Sequence, residues 1–524
     1  MIRQPDFIRK HAFQTPDKIA THCEGIEYSW SEFNARIHQM AAALLEQGVK
    51  PGDRIAYLGM NSHWMVEMYF APSLIGAISV PLNYRLSENE LTEIIQDCTP
   101  RLLYVDRHFA TQAITLKNRC DASLLIVYAD IQQAEPDFDA IHYEQLITDA
   151  GVVADDSFDS LSSASDETMS IFYTSGTTGK PKGVMLSHGN MFANAKGTGQ
   201  LYQYQSSDIM LLAGPLFHLG TGSRIFTAVL YGTTMVIQPK FDVENMMKII
   251  ESQSVTATTL VPTMFQMIID HPRFHEFDFS SLRCLTYGSA PMTAALMKRV
   301  IDKFPGATFC QGYGMTEASP CLAVLTPLDH TPVNGEFPKL GSNGKPVRYC
   351  DLRIVDENDK SVPNGQSGEV IVRGPQIMNG YWNQPQVTAE AMRGGFYHTG
   401  DAGYLDKDGY LHLIGRTKEM IITGGENVYP LETESCLTEH PAVAVATVMG
   451  LPHKKWGEMV FAAVTLKQNK TATEQELIDF CREKIAHYKA PKRIKFWPGS
   501  LPLAATNKVD KPAIKAFVLE EGYD

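Results

Sequence analysis

The amino-acid sequence predicts an α/β protein: a large N-terminal domain of α/β subdomains plus a β unit, and a small α+β C-terminal domain. Three observations lead there. Short apolar runs of buried-strand character alternate with helical stretches through most of the chain before residue 348. From residue 348 the pattern turns to period-two alternation, broken by Pro363-Asn364-Gly365 and Asp406-Lys407-Asp408-Gly409 turns. After Gly415-Arg416 a last segment of about 110 residues holds enough helices and strands for a domain of its own. With 524 residues the chain exceeds one ordinary core, and the domains are expected at 1–416 and 417–524.

Taken in order, residues 29–47 open on a capping Ser29 with Glu32 three positions on, keep apolar residues at helical spacing through 41–45, and stop at Gly48. Residues 54–58 and 77–81 read as strands, and 61–75 and 88–96 as helices. Residues 155–166 form a Ser/Asp-rich connector. Beyond it 169–173 and 184–186 are strand-like, 190–202 is helical, and 210–213, 233–237, 257–261 and 284–287 are short apolar runs that suit buried strands. The β unit contains 351–355, 368–372 and 410–414. The last segment reads as a helix around 431–439, strands at 442–449 and 459–466, and a helix at 474–485.

Composition narrows the function classes. A net charge of −13 argues against a nucleic-acid surface, which needs a broad basic face. From Thr417 onward there are 14 Lys and Arg against 14 Asp and Glu, leaving 32 against 45 before it, so the whole deficit lies in the larger part. Nine cysteines (Cys23, Cys98, Cys120, Cys284, Cys310, Cys321, Cys350, Cys436, Cys481) are scattered with no Cys-x-x-Cys pair. They predict reduced thiols in a cytoplasmic protein and no zinc site. The start lacks the apolar core of a signal peptide. The richest apolar region, 57–82, is interrupted by Asn61, Ser62, His63 and Glu67, so no membrane span is expected.

The stretch 172–187 is a phosphate loop by its chemistry. Strand-like residues flank Thr174, Ser175, Gly176, Thr177, Thr178, Gly179 and Lys180, a run of hydroxyls, open backbone and a cation that suits an anion, with Lys182 just beyond it. A Walker loop would need Gly where Thr174 stands and Ser or Thr where Pro181 stands. The proline sends the chain into a second strand instead of a helix. In 311–317, Gln311-Gly312-Tyr313-Gly314-Met315-Thr316-Glu317, the aromatic ring can stack on a purine, Gly314 permits close backbone approach, Thr316 can bond phosphate, and Glu317 can hold a hard cation. Asp401 follows Thr-Gly at an expected strand end, where a carboxylate can accept ribose hydroxyl protons, although such a residue alone is more often a turn aspartate.

These stretches, with Tyr397-His398-Thr399-Gly400-Asp401, Gly415-Arg416-Thr417-Lys418-Glu419, Gly424-Gly425-Glu426-Asn427 and Lys508, give the chain a resemblance to adenylate-forming enzymes. That group includes acyl-CoA synthetases, aryl-CoA ligases, firefly-type luciferases and peptide-synthetase adenylation domains. The resemblance spans nearly the whole chain. It implies an ATP-dependent carboxylic acid–CoA ligase that forms acyl-AMP and then acyl-CoA from a monocarboxylic fatty or aromatic acid. Its implied partners are the acid, ATP, coenzyme A and Mg²⁺, with a homo-oligomer possible.

The resemblance also implies roles. ATP and AMP would meet Thr174 to Lys180, Gly288, Ser289, Ala290, Gln311 to Thr316, Asp401, Arg416 and Lys508, with Mg²⁺ on Thr174 and Glu317 and the ribose on Asp401 and Arg416. Catalysis would fall to Lys508, whose ammonium offsets the repulsion of carboxylate and α-phosphate, and to His218, which alone would read as a core histidine. Asn507 stands where the family usually has Gly, a residue type that tolerates the left-handed backbone. The acyl pocket would be lined by Phe217, His218, Gly220, Gly222, Thr263, Tyr287, Gly288 and Met315, with the two early glycines leaving width and little cationic character nearby. The small domain would be mobile, rotating about Lys418 to bring Gly424, Gly425, Glu426, Asn427 and Tyr429 to the pantetheine path. Lys489, Lys492, Arg493 and Lys495 form a basic run that is either a receptor for the 3′-phosphate of coenzyme A or a solvated surface cluster. Other outcomes compatible with the motifs are loading of a carrier protein in trans, a luciferase-like oxygenase, or a non-catalytic AMP or acyl sensor.

Overall fold

The computed structural model describes residues 3–121, 124–130, 138–161, 164–174, 181–290, 292–503 and 509–523. The chain divides into two compact units, Met1–Asp351 with Arg373–Tyr397, and Leu352–Val372 with His398–Asp524.

The first unit holds two large sheets. In one, the strands Thr308–Gly314, Cys284–Gly288, Ala257–Leu260, Ile209–Leu212 and Thr234–Ile237 lie side by side in that order, all parallel. Cys321–Leu325 and Lys345–Pro346 extend one edge, and Ile19–Cys23 and Ile26–Ser29 the other. These short runs are rich in apolar residues because helices cover the sheet: Leu211, Val236, Leu260 and Leu285 share a core with Met246, Phe265 and Val300. In the second sheet the expected hairpin forms. Thr168–Thr174 pairs antiparallel with Lys182–Ser187, in a register that sets Phe172 against Val184 and Thr174 against Lys182. Gly380–Tyr381 adds to the outer edge, and Ile78–Pro81, Arg54–Leu58, Leu102–Asp106, Leu125–Ala129 and Ile141–His142 continue the other side in parallel.

Local rules set the helix ends. Trp30–Glu46 starts on Ser29, whose hydroxyl accepts from the Glu32 N–H at 3.2 Å while the Glu32 carboxylate accepts from the Ser29 N–H at 2.7 Å. The helix expected at 61–75 runs His63–Leu74 with Ser62 as its cap. Asn61 stays outside it, buried, donating to the Gly214 and Gln238 carbonyls at 2.9 Å each and accepting from the Leu216 N–H at 2.9 Å. One side chain thereby joins the two sheets at the loop 213–218.

The second unit contains a four-stranded sheet in the order Asp351–Val355, Gly368–Arg373, Tyr397–Leu405, Leu411–Arg416. It also has a sheet in which Gly457–Leu466 is paired with Ile421–Thr423, Val443–His453 and Arg493–Phe496, while Glu426–Val428 lies beyond Ile421–Thr423. Pro430–Glu439 and Glu474–Lys484 pack Leu437, Leu477 and Cys481 onto Val460, Ala462 and Val464. By packing, the β unit expected with the first 416 residues groups with the C-terminal segment. Among the described residues no helix is long and apolar enough to cross a membrane.

Candidate active site

Parallel strands place their carboxyl ends on one edge, and loops leaving that edge converge there. Here the loops are 213–218, 261–263, 288–290 and 315–317, and so the chain brings His218, Thr263, Ser289 and Met315 to one side of the first sheet. Gly288 and Gly312 are register partners on adjacent strands. A methyl on Gly288 would lie 2.4 Å from the Gly312 carbonyl, so the glycine is required by the sheet itself. Ser289 follows with φ +65°, turning the exposed Ser289 and Ala290 out of the strand.

His218 is exposed and caps the helix Leu219–Tyr231: its Nδ1 accepts from the Gly220 N–H at 3.0 Å. An accepting Nδ1 leaves the proton of a neutral ring on Nε2, which makes Nε2 a donor. A Cβ built on Gly220 would stand 3.1 Å from both His218 Nδ1 and Ser289 Oγ, so these two side chains converge on a glycine that leaves space between them. Gly222 differs from expectation. Its Cβ would meet the Leu216 carbonyl at 2.2 Å, so this buried glycine serves tight packing of its own chain rather than pocket width. Phe217 packs edge-on to Tyr84 at 5.1 Å, and the exposed Arg85 stands 6.0 Å from the Phe217 ring, a cation absent from the expected lining. Tyr287 is buried and hydrogen-bonds His330 Nε2 at 2.8 Å, and Thr263 is exposed at the start of Pro262–Ile269.

The strand Thr308–Gly314 carries the buried Gln311 and the half-buried Tyr313 into the short turn Thr316–Ala318. Gly314 does permit close approach, but by the chain's own Pro320 carbonyl, 1.8 Å from where its Cβ would lie; the Met315 N–H donates to the same carbonyl at 2.7 Å. Glu317 then receives a hydrogen bond from the Tyr381 hydroxyl at 2.9 Å. Burial, and next the Glu317 charge, hold that phenol protonated well above the usual tyrosine range. The Lys182 ammonium lies over the Tyr381 ring at 5.1 Å, and Lys182 is the register partner of Thr174. Tyr381 thus links the mouth of the phosphate hairpin to Glu317. The hard oxygen donors of Glu317 and Thr174 suit Mg²⁺. Ser175, Gly176, Thr177, Thr178, Gly179, Lys180 and Lys508 lie outside the described residues.

In the second unit Asp401 stands within the strand Tyr397–Leu405, not at a strand end. The bend comes from Gly400, at φ +69°. Asp401 is buried, and its Oδ1 meets Arg416 Nε at 2.8 Å across the register pair 401/416; Arg416 Nη1 also donates to the Thr399 carbonyl at 3.1 Å. Both residues line a cleft of about 190 Å³ with Leu413, Gly415, Glu419, Pro430, Leu431, Glu434 and Lys511. Lys511 reaches Glu419 at 2.7 Å and Glu434 at 3.0 Å; burial works to lower its pKa, and the two carboxylates outweigh it and raise it. Lys418 is exposed on the turn Thr417–Glu419.

Gly424 and Gly425 form the two-residue turn of a hairpin, at φ +61° and +88°, between Ile421–Thr423 and Glu426–Val428. Glu426 and Asn427 are exposed, and Tyr429 begins Pro430–Glu439. The basic run is largely neutralised: Lys489 pairs with Glu432 at 2.8 Å, Arg493 with Glu474 at 3.8 Å, and Lys495 with Glu521. Lys492 alone of the four has no carboxylate partner among the described residues; it donates to the His487 carbonyl at 3.1 Å and lies 5.8 Å from the Trp456 ring. Trp456 stacks on His453 at 4.1 Å, and its carbonyl accepts from the Gly424 N–H at 2.8 Å. Asn61, Tyr381 and Trp456 had no signal in the linear sequence, since each acts on partners distant in the chain.

Residues 8–382 match the family described as AMP-binding enzyme, and residues 432–508 match the AMP-binding enzyme C-terminal domain. The feruloyl-CoA synthase of an Amycolatopsis species is 37% identical over 508 residues, 97% of this chain and 97% of that protein. The indoleacetate–CoA ligase of Aromatoleum aromaticum is 36% identical over 99% of this chain and 98% of its own. The o-succinylbenzoate CoA synthetase MenE of Bacillus subtilis, solved with the acyl-adenylate OSB-AMP, superposes with a TM-score of 0.84 at 31% identity, covering 98% of this chain and 99% of that one. MenE has also been solved with ATP and a magnesium ion.

Proposed function

The chain belongs to the AMP-binding enzyme family and is an ATP-dependent acid–CoA ligase, and we propose that its acid is aromatic. The relatives reported above act on feruloyl, indoleacetate and succinylbenzoate groups, each an aryl acid. The observation that carries the adenylation step is the link from Thr174 and Lys182 through Tyr381 to Glu317, a hydroxyl, a cation and a carboxylate at the mouth of a phosphate hairpin.

In the first step a carboxylate oxygen attacks the α-phosphorus of ATP, giving acyl-AMP and pyrophosphate. Lys508 offsets the repulsion between the two anions. Glu317 and Thr174 would hold Mg²⁺, which would supply charge neutralisation of the phosphates. Asp401 and Arg416 hold the ribose, Tyr313 faces the purine, and Ser289 with Nε2–H of His218 orients the carboxylate. In the second step the thiolate of coenzyme A attacks the acyl carbon and AMP leaves. The turn Gly424-Gly425 guides the pantetheine arm, Trp456 and Lys492 receive the nucleotide end, and the segment after Lys418 moves between steps. Nine unpaired thiols suit the reducing cytoplasm in which we place the enzyme.

The test is acid-dependent pyrophosphate release over cinnamic, arylacetic and straight-chain fatty acids, with and without coenzyme A. Aromatic acids should exceed fatty acids by at least about tenfold in kcat/KM, a difference of about 1.4 kcal/mol. A preference for fatty acids would overturn the aromatic assignment. An aryl acid with a second carboxylate belongs in the panel because of Arg85.

A further inference from the structure

The left-handed Gly400 turns both of its backbone polar groups away from regular strand geometry, and side chains take both of them up. Its N–H donates to Glu369 Oε1 at 3.1 Å, and its carbonyl accepts from the Thr417 hydroxyl at 3.1 Å. Glu369 belongs to the neighbouring strand Gly368–Arg373. Its other oxygen, Oε2, meets Nδ1 of the buried His398 at 2.9 Å, and Asp359 Oδ1 lies 4.0 Å from the same nitrogen. Asp359, Glu369 and His398 come close enough together to resemble a metal-ligand set. However, both Glu369 oxygens already make hydrogen bonds, which suits a support better than an open cation site.

What this support fixes is the next residue. The Asp401 N–H donates to the Thr399 hydroxyl at 3.0 Å, and that hydroxyl donates to the Val370 carbonyl at 2.7 Å, one residue beyond Glu369. A half-buried carboxylate gripping a bent backbone at one oxygen and the imidazole of a buried histidine at the other cannot shift without losing a charge-assisted bond. We propose that Glu369, oriented by His398, is a positioning residue that sets the Asp401 carboxylate for the ribose of the nucleotide. Glu369 touches no substrate; it acts through Gly400. The inference rests on the reading of Asp401 as the ribose ligand.

The experiment compares kcat/KM of acid-dependent pyrophosphate release for ATP and for 2′,3′-dideoxy-ATP, which lacks both ribose hydroxyls. Wild type should favour ATP strongly, and Asp401→Ala should collapse that ratio. Glu369→Ala should lower the ratio by about tenfold, mainly through KM for ATP, with KM for the acid unmoved. Combined with Asp401→Ala it should lower the ratio no further, since both changes remove one interaction. Glu369→Gln, which keeps an acceptor for the Gly400 N–H, should restore most of the ratio. It also covers the case in which Glu369→Ala does not fold. If Asp401→Ala spares the ratio, the ribose assignment fails and the inference with it. If Asp401→Ala collapses the ratio while Glu369→Ala leaves it intact, or Glu369→Gln lowers it as far as Asp401→Ala does, the ribose assignment stands and the role of Glu369 is overturned.

Discussion

The hydroxyl of Tyr381 donates to the carboxylate of Glu317 at 2.9 Å, 64 residues away in the chain. A carboxylate held at one oxygen presents the other in a fixed direction, the condition a hard cation needs from a single anionic ligand. Tyr381→Phe removes that hold while keeping the ring under Lys182. The Mg²⁺ concentration for half-maximal pyrophosphate release should rise about tenfold, and Glu317→Gln should raise it further. An unchanged Mg²⁺ requirement in both variants would remove this pair from the metal site.

Lys508→Ala should cost several orders of magnitude in acid-dependent pyrophosphate release, because an ammonium placed between two anions acts on the transition state of the first step. Thioester formation from supplied acyl-AMP should persist at near wild-type rate. An equal loss in both half-reactions would make Lys508 a general structural or binding residue.

Much of the fold was legible because it obeys local rules. The Ser29 and Glu32 capping box, the apolar runs of the parallel strands and the hairpin around the phosphate loop each depend on residues close in sequence. The candidate site residues were reached mostly through motifs. What escaped depends on distant partners: the bend before Asp401 is fixed by Glu369, 31 residues from Gly400. Gly222 looked like open space and is filled by a backbone carbonyl. The run from Lys489 to Lys495, on a loop and a strand, looked cationic because Glu432, Glu474 and Glu521 come from helices elsewhere in the chain.

That redistribution moves the expected receptor for the nucleotide end of coenzyme A. Lys492→Ala and Trp456→Ala should each raise KM for coenzyme A about tenfold while leaving adenylation unchanged, whereas Arg493→Ala, paired with Glu474 and half-exposed, should change it less than threefold. A larger effect from Arg493→Ala than from Lys492→Ala would restore the basic run as the phosphate receptor.

Two buried histidines make stability fall in acid. His63 has neither ring nitrogen hydrogen-bonded among the described residues, and burial pushes its pKa down to about 3; burial holds His188, which accepts from the Gln4 N–H at 3.2 Å, at about 4. In the unfolded chain both take up protons near the ordinary value of about 6.5. The unfolded state therefore binds more protons below that value. Stability drops as pH falls from about 6.5 toward the folded values, by up to about 1.4 kcal/mol per pH unit for each ring. Urea midpoints measured between pH 7 and 5 should show this slope, and His63→Phe should flatten it by one proton; an unchanged slope would mean that His63 titrates normally when folded.

The acyl-adenylate route is tested most directly by oxygen tracing. With the carboxylate of an aromatic acid labelled with ¹⁸O in both positions, attack on the α-phosphorus makes one labelled oxygen the bridge, and thiol attack at the acyl carbon leaves it on phosphorus. Mass spectrometry should find one ¹⁸O in each AMP released and one in each thioester. AMP without label would contradict carboxylate attack on the α-phosphorus, and the two-step account would fall.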